Sequence, residues 1–243
     1  MTPPLPRKPA EHVERALCVL AHPDDVDFGS AGTVATWTSA GTEVTYLIVT
    51  DGDAGGFDET PREQMGPLRR AEQQAAAAAC GVEDVRFLGY PDGRLELTLD
   101  LRRDISRVIR QVRPQRVLTS SPERFWDRIG ASHPDHMTVG ESTLRAVYPD
   151  ARNPFAFPQL AAEGLEAWTV EEVWLTASPR SDHVVDVTDV VELKFAALKS
   201  HVSQVAHVAD LEQFVTGWMR ENGRRLGLPD GRLGEAFHIV HTA

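Results

Sequence analysis

Two short runs hold the densest grouping of metal-ligand side chains in this sequence: Ala21-His22-Pro23-Asp24-Asp25 and His133-Pro134-Asp135-His136. Two imidazoles and one carboxylate around a single ion, with one position left open to water, is a recognised catalytic zinc arrangement. Zinc brings the pKa of its bound water to roughly 7, so a neighbouring carboxylate can take the proton while hydroxide attacks an amide carbon. Asp24 and Asp25 are consecutive and cannot easily face the same point. The pair therefore implies a division of labour, one carboxylate toward the metal and the other toward the water. Either run taken alone reads equally well as a turn whose Asp caps the next helix.

What favours chemistry is where the two runs fall. Arg15–Leu20 reads as a buried strand, and the first run follows it directly. The spacing then gives a helix over Gly29–Ser39 stopped by Gly41, a strand over Val44–Thr50, and a Gly-rich loop over residues 51–66. A helix follows with Pro67 in its first turn and Gly81 past its end. Val85–Leu88 reads as a strand, Leu99–Val112 as a helix ended by Pro114, and Arg116–Thr119 as a fourth strand, after which comes the loop with the second run. Beyond a Pro-containing loop through Pro158, strands are expected at Val170–Thr176 and Val184–Val187, and helices at Val190–Gln204 and Leu211–Glu221. This alternation predicts an α/β fold, a doubly wound, mainly parallel sheet with added C-terminal strands and helices. In such sheets ligands bind at the carboxyl ends of strands where strand order reverses, which would bring the two runs together.

At 243 residues and 42% hydrophobic content the chain suits one core, read as a flexible arm over residues 1–14 and a single domain over 15–243. A net charge of −11 without a Lys/Arg block argues against nucleic acid and anionic membrane surfaces as partners. The Pro-rich start lacks the apolar run of a signal peptide or spanning helix, and Cys18 and Cys80 lie in apolar contexts that suit free thiols, so the cytoplasm is the expected location. A homo-oligomer is compatible with this reading.

The two runs resemble those of the LmbE-like, or PIG-L, family of zinc-dependent de-N-acetylases, over a stretch from about Leu17 to the C-terminus. The resemblance implies a Rossmann-like fold, with His22, Asp25 and His136 as the zinc ligands and Asp24 as the general base. It also places His133 near the developing oxyanion, as an imidazolium that stabilises charge or protonates the leaving amine, and Asp135 as the partner that orients a histidine. The same donors would accept another divalent ion such as iron. Arg69-x-x-Glu72 and the turn Gly89-Tyr90-Pro91-Asp92-Gly93 resemble positions that contact sugar hydroxyls, although Arg69 could equally pair with Glu72 and Asp92-Gly93 is an ordinary turn signal. Lys194–Gln204, with His201, resembles a recurring family segment. Two departures stand out: Val26 replaces the family's usual Glu after the Asp pair, leaving Asp27 as the next acid, and Ala131 stands where some thiol-pathway members carry Tyr.

The implied activity is hydrolysis of an N-acyl, chiefly N-acetyl, amide on an aminosugar-containing small molecule. Amidases of thiol conjugates or of natural-product acyl-aminosugars share the same apparatus. A nonenzymatic sugar-binding module on the same fold would have no need of Asp24, and a phosphoesterase would want basic phosphate-holding groups that neither run contains.

Overall fold

The computed structural model describes residues 9–57 and 59–243. Its regular elements are β1 (Arg15–Leu20), α1 (Asp25–Ser39), β2 (Glu43–Thr50), α2 (Arg62–Ala79), β3 (Asp84–Tyr90), α3 (Leu99–Val112), β4 (Arg116–Ser120), α4 (Pro134–Arg145), α5 (Pro158–Ala162), β5 (Glu172–Thr176), β6 (His183–Asp186), α6 (Val191–Ser200), α7 (Val202–Val205), α8 (Leu211–Arg225) and β7 (Gly234–His241). The strands form one seven-stranded sheet in the order β3-β2-β1-β4-β5-β7-β6. β1 to β5 run parallel, and β7 pairs antiparallel with β5 and β6.

β1 shows why the sheet is covered on both faces. Alternate side chains of a strand point to opposite sides. Ala16, Cys18 and Leu20 accordingly join the core with Val26, Val34 and Trp37 of α1, while Leu17 and Val19 pack with Leu101, Ile105 and Ile109 of α3. The second layer continues into α4, where Gly140 lets the helix sit against the end of β4: a Cβ there would lie 2.2 Å from the Ser120 carbonyl oxygen. α6 and α8 add a third cluster around Phe195, Leu198, Val215 and Met219. No helix among the described residues is long and apolar enough to cross a membrane.

Sequence order runs outward from β1 through β2 to β3, then jumps back to β4 on the other side of β1. The reversal of strand order therefore lies between the carboxyl ends of β1 and β4, where the two His/Asp runs begin.

Several elements differ from the sequence reading. α1 begins at Asp25 rather than Gly29, because the turn is completed by Asp24 in the left-handed region. α2 begins at Arg62, so Pro67 lies inside it and not in its first turn; Pro61, extended at φ −58° and ψ 140°, sets the start. The second run is not in a loop: His133 caps α4, with Pro134 at its first position. The expected Val190–Gln204 helix is broken at His201, and β7 was not anticipated. Of the arm expected over residues 1–14, residues 1–8 lie outside the described residues, while Ala10 exchanges hydrogen bonds with Glu172 and Arg116 and the Val13 carbonyl accepts from Thr42.

Candidate metal centre and active site

The chain leaves β1 through His22 and Pro23 and must turn at once into α1. Asp24 makes that turn with φ 103°, a conformation few residues other than Gly, Asn and Asp adopt. Its amide donates to Gln73 Oε1 at 2.8 Å, and its carboxylate accepts from Arg69 Nη2 at 3.0 Å. Asp25 can then point back toward His22, whose amide donates to Asp25 Oδ2 at 2.8 Å. From the other side, the first turn of α4 projects His136 into the same space.

Three donors converge there. His22 Nδ1 lies 3.1 Å from His136 Nε2, Asp25 Oδ1 lies 3.0 Å from His136 Nε2, and Asp25 Oδ2 lies 3.5 Å from His22 Nδ1. Ligand atoms about 2.0–2.1 Å from one tetrahedral ion stand roughly 3.3 Å apart, so nitrogen and oxygen donors at these separations fit a divalent metal of the zinc type. The far side of the His22 ring is held by carboxylates: Nε2 lies 3.0 Å from Asp92 Oδ1 and 3.3 Å from Asp135 Oδ2. Asp135 also accepts from the amides of Gly93 and Leu95, and Asp92 from that of Ala54. This is the carboxylate–histidine support that fixes which ring nitrogen faces a metal.

The electrostatics point the same way. Burial opposes a cation at His22, but the Asp25 carboxylate and hydrogen bonds to Asp135, Asp25 and Asp92 push its pKa up to about 12. Burial likewise opposes charge at Asp25, yet His136 and His22 hold its carboxyl well below the usual range. The cluster is built around positive charge. At His133 burial prevails, together with His22 and His136, and lowers its pKa. Its Nδ1 accepts the Asp135 amide at 3.2 Å as the cap of α4. Both favour a neutral ring with the proton on Nε2. The ring lies edge-on to His22 with centroids 4.9 Å apart.

All the anticipated site residues thus lie together, but Arg69 and Asp92 are buried, at 4% and 7% exposure, and bonded within the protein. Besides Asp24, Arg69 donates to the carbonyls of Pro23 and Gly52 at 2.5 and 2.9 Å. It does not pair with Glu72, which instead accepts from the amide and hydroxyl of Ser203. Sequence reasoning missed Gln73, which bridges the Asp24 amide and the Asp27 carboxylate. Its position four residues after Arg69, on the same face of α2, was the available signal. His201 is completely buried and bonds Asp27 Oδ2 at 2.8 Å, so Asp27 serves this inner pair.

Comparison with known proteins adds four findings. The PIG-L family, described as GlcNAc-PI de-N-acetylase, matches residues 17–147. The chain is 32% identical over 198 residues to a diacetylchitobiose deacetylase of Thermococcus kodakarensis, covering 81% of this chain and 72% of the relative. It is also 32% identical over 196 residues to a probable N-acetyl-alpha-D-glucosaminyl L-malate deacetylase 2 of Bacillus cereus, covering 77% and 82%. Among solved structures, N,N'-diacetylchitobiose deacetylase from Pyrococcus horikoshii superposes with a TM-score of 0.86 at 28% identity, covering 94% of this chain and 84% of that one.

Proposed function

This chain belongs to the PIG-L family, and on that premise we propose that it is a metal-dependent amide hydrolase that removes the acetyl group from the nitrogen of an N-acetylglucosamine-containing small molecule. The observation that carries the reading is the convergence of His22, Asp25 and His136 donors within 3.5 Å, with Asp24 beside them and absent from that donor set. His22 Nδ1, His136 Nε2 and Asp25 would hold the ion, and the mixed nitrogen and oxygen set favours zinc. When bound, the ion supplies an acidified water and a Lewis acid for the amide carbonyl.

The remaining work falls to side chains. Asp24 accepts the proton of the attacking water and returns it to the leaving amine. The neutral His133 donates from Nε2 to the carbonyl oxygen as charge develops on it. Asp92 and Asp135 fix the His22 ring, and Arg69 holds the Asp24 carboxylate in place. The buried free thiols of Cys18 and Cys80 support a reducing, cytoplasmic setting.

The test is amine release from N-acetylglucosamine conjugates by zinc-loaded and chelated protein. Zinc-dependent release is expected; no release from any conjugate at stoichiometric metal would overturn the activity, and full release after chelation would overturn the metal.

The acid limb of kcat/KM is expected near pH 6. Burial raises the Asp24 pKa and Asp25 adds to this, while Arg69, His201 and His22 hold it down, leaving it at about 6. A base works deprotonated, so the rate climbs through that pH and levels above it. An acid limb near 4 would take the role from Asp24.

Replacing Arg69 by Met removes the strongest charge holding Asp24 down. The acid limb should move to higher pH and kcat should fall. A rise in KM alone, with the limb unmoved, would instead make Arg69 a contact for sugar hydroxyls.

A further inference from the structure

Beside the metal centre lies a cavity of about 490 Å³ with Asp25 and His136 in its wall. That size falls within the roughly 300–1,000 Å³ of pockets that hold whole drug-sized ligands, far more than an acetyl group needs. Its wall is lined by Phe28, Phe214 and Trp218, and beyond the two metal ligands its polar groups are the hydroxyls of Ser120 and Thr176 and the guanidinium of Arg128. A buried hydroxyl without a partner is costly, so a wall of this kind does not suit several sugar hydroxyls at once. It suits an apolar, ring-sized group.

Arg128 adds a second constraint. Its guanidinium stacks 4.8 Å from the Trp218 ring centre and 5.8 Å from that of Phe125. The adjoining cleft shares Phe28, Arg128 and Trp218 with the cavity and adds Arg225. Among the described residues no carboxylate forms an ion pair with Arg128 or Arg225, in a chain that carries 36 acidic residues against 25 basic ones. Glu235 also lines the cleft but is taken by Lys194, and two guanidinium groups at one mouth without an ion-pair partner of their own call for an anion.

We propose that this cavity binds the rest of the substrate, and that the substrate carries an apolar ring bearing an acidic group, the ring against Phe214 and Trp218 and the anion at Arg128. The proposal rests on the deacetylation reading, to which it adds the class of substituent. The acidic ring could be attached through the sugar or through the acyl group, and the shared chemistry is the same.

The experiment measures, by calorimetry on zinc-loaded protein arrested by Asp24→Asn, the affinity for methyl, phenyl and 4-carboxyphenyl N-acetyl-β-D-glucosaminide and for glucosamine N-acylated with 4-carboxybenzoate. Kd should drop about tenfold from methyl to phenyl and about tenfold again on adding the carboxylate. Trp218→Ala should remove the first gain and Arg128→Met the second. If the N-(4-carboxybenzoyl) compound alone shows the Arg128-dependent gain, the ring sits on the acyl side. Equal affinities across the series would overturn the proposal. Wild-type turnover separates the two readings: amine release from the methyl glycoside without any affinity gain sinks only the cavity assignment, while gains without release from any compound sink the deacetylation reading and leave the cavity standing.

Discussion

Asp24→Asn is expected to lower kcat by about 10²- to 10⁴-fold, the range a positioned general base contributes, while leaving the stoichiometry of bound zinc unchanged. The substitution isolates the proton-accepting function because so much else is kept. Asn tolerates the left-handed conformation that Asp24 holds at φ 103°, so the turn from β1 into α1 should persist. Its amide oxygen can still accept from Arg69 Nη2, and its backbone amide can still donate to Gln73. The converging donors His22, Asp25 and His136 are untouched. Asp25→Asn should behave differently, because a neutral amide there weakens the metal site itself: bound zinc should fall along with activity. The measurement pairs kcat with metal content for both proteins. An Asp24→Asn enzyme with near-wild-type kcat would exclude the carboxylate as base, and one that loses its zinc would make Asp24 a ligand.

How much of this could be read beforehand depended on whether the signal was local. β1 and α3 were placed to the residue. β1 is an unbroken apolar run, and α3 carries both punctuation marks, a Thr98 side chain accepting from the Leu101 amide and a left-handed Arg113 before Pro114. The two His/Asp runs were recognisable from composition, and the reversal of strand order between β1 and β4 accounts for their meeting. α4 is absent from the sequence reading because that reading puts the second run in a loop, although Pro at the first position of a helix is an ordinary beginning. β7 was missed because its residues are mostly half-buried and their alternation is weak. The supports of the site were out of reach for another reason. Asp92 meets His22 across 70 positions and Gln73 meets Asp24 across 49, and only the folded sheet brings such pairs together. His201 belongs with these: the helix breaks at its own position, φ −85° and ψ 57°, turning the ring inward to Asp27.

The largest effect on stability is expected at Lys194, a residue that touches nothing in the metal centre. Its ammonium is completely buried and donates to Glu235 Oε1 at 2.7 Å and to the carbonyls of Asp27 and Phe28 at 2.8 and 2.7 Å. Glu235 accepts in turn from the amides of Gly32 and Thr33. The pair thus ties α6 and β7 to α1, whose first residue is Asp25. Lys194→Met would leave the Glu235 carboxylate buried without its counter-ion, an error that costs about 3–5 kcal/mol, out of a total stability that for most domains is about 5–15 kcal/mol. Adding Glu235→Gln should recover part of that loss, because the amide oxygen can still accept from one of the two amides and no charge is stranded. The double-mutant cycle by urea unfolding is therefore the informative measurement. A Lys194→Met loss below about 1 kcal/mol, or a double variant no more stable than the single, would show that the pair does not hold α1 in place. Zinc affinity of the two variants then tests whether the anchoring reaches the site, since α1 can aim Asp25 at His136 only while its first turn is held against α6.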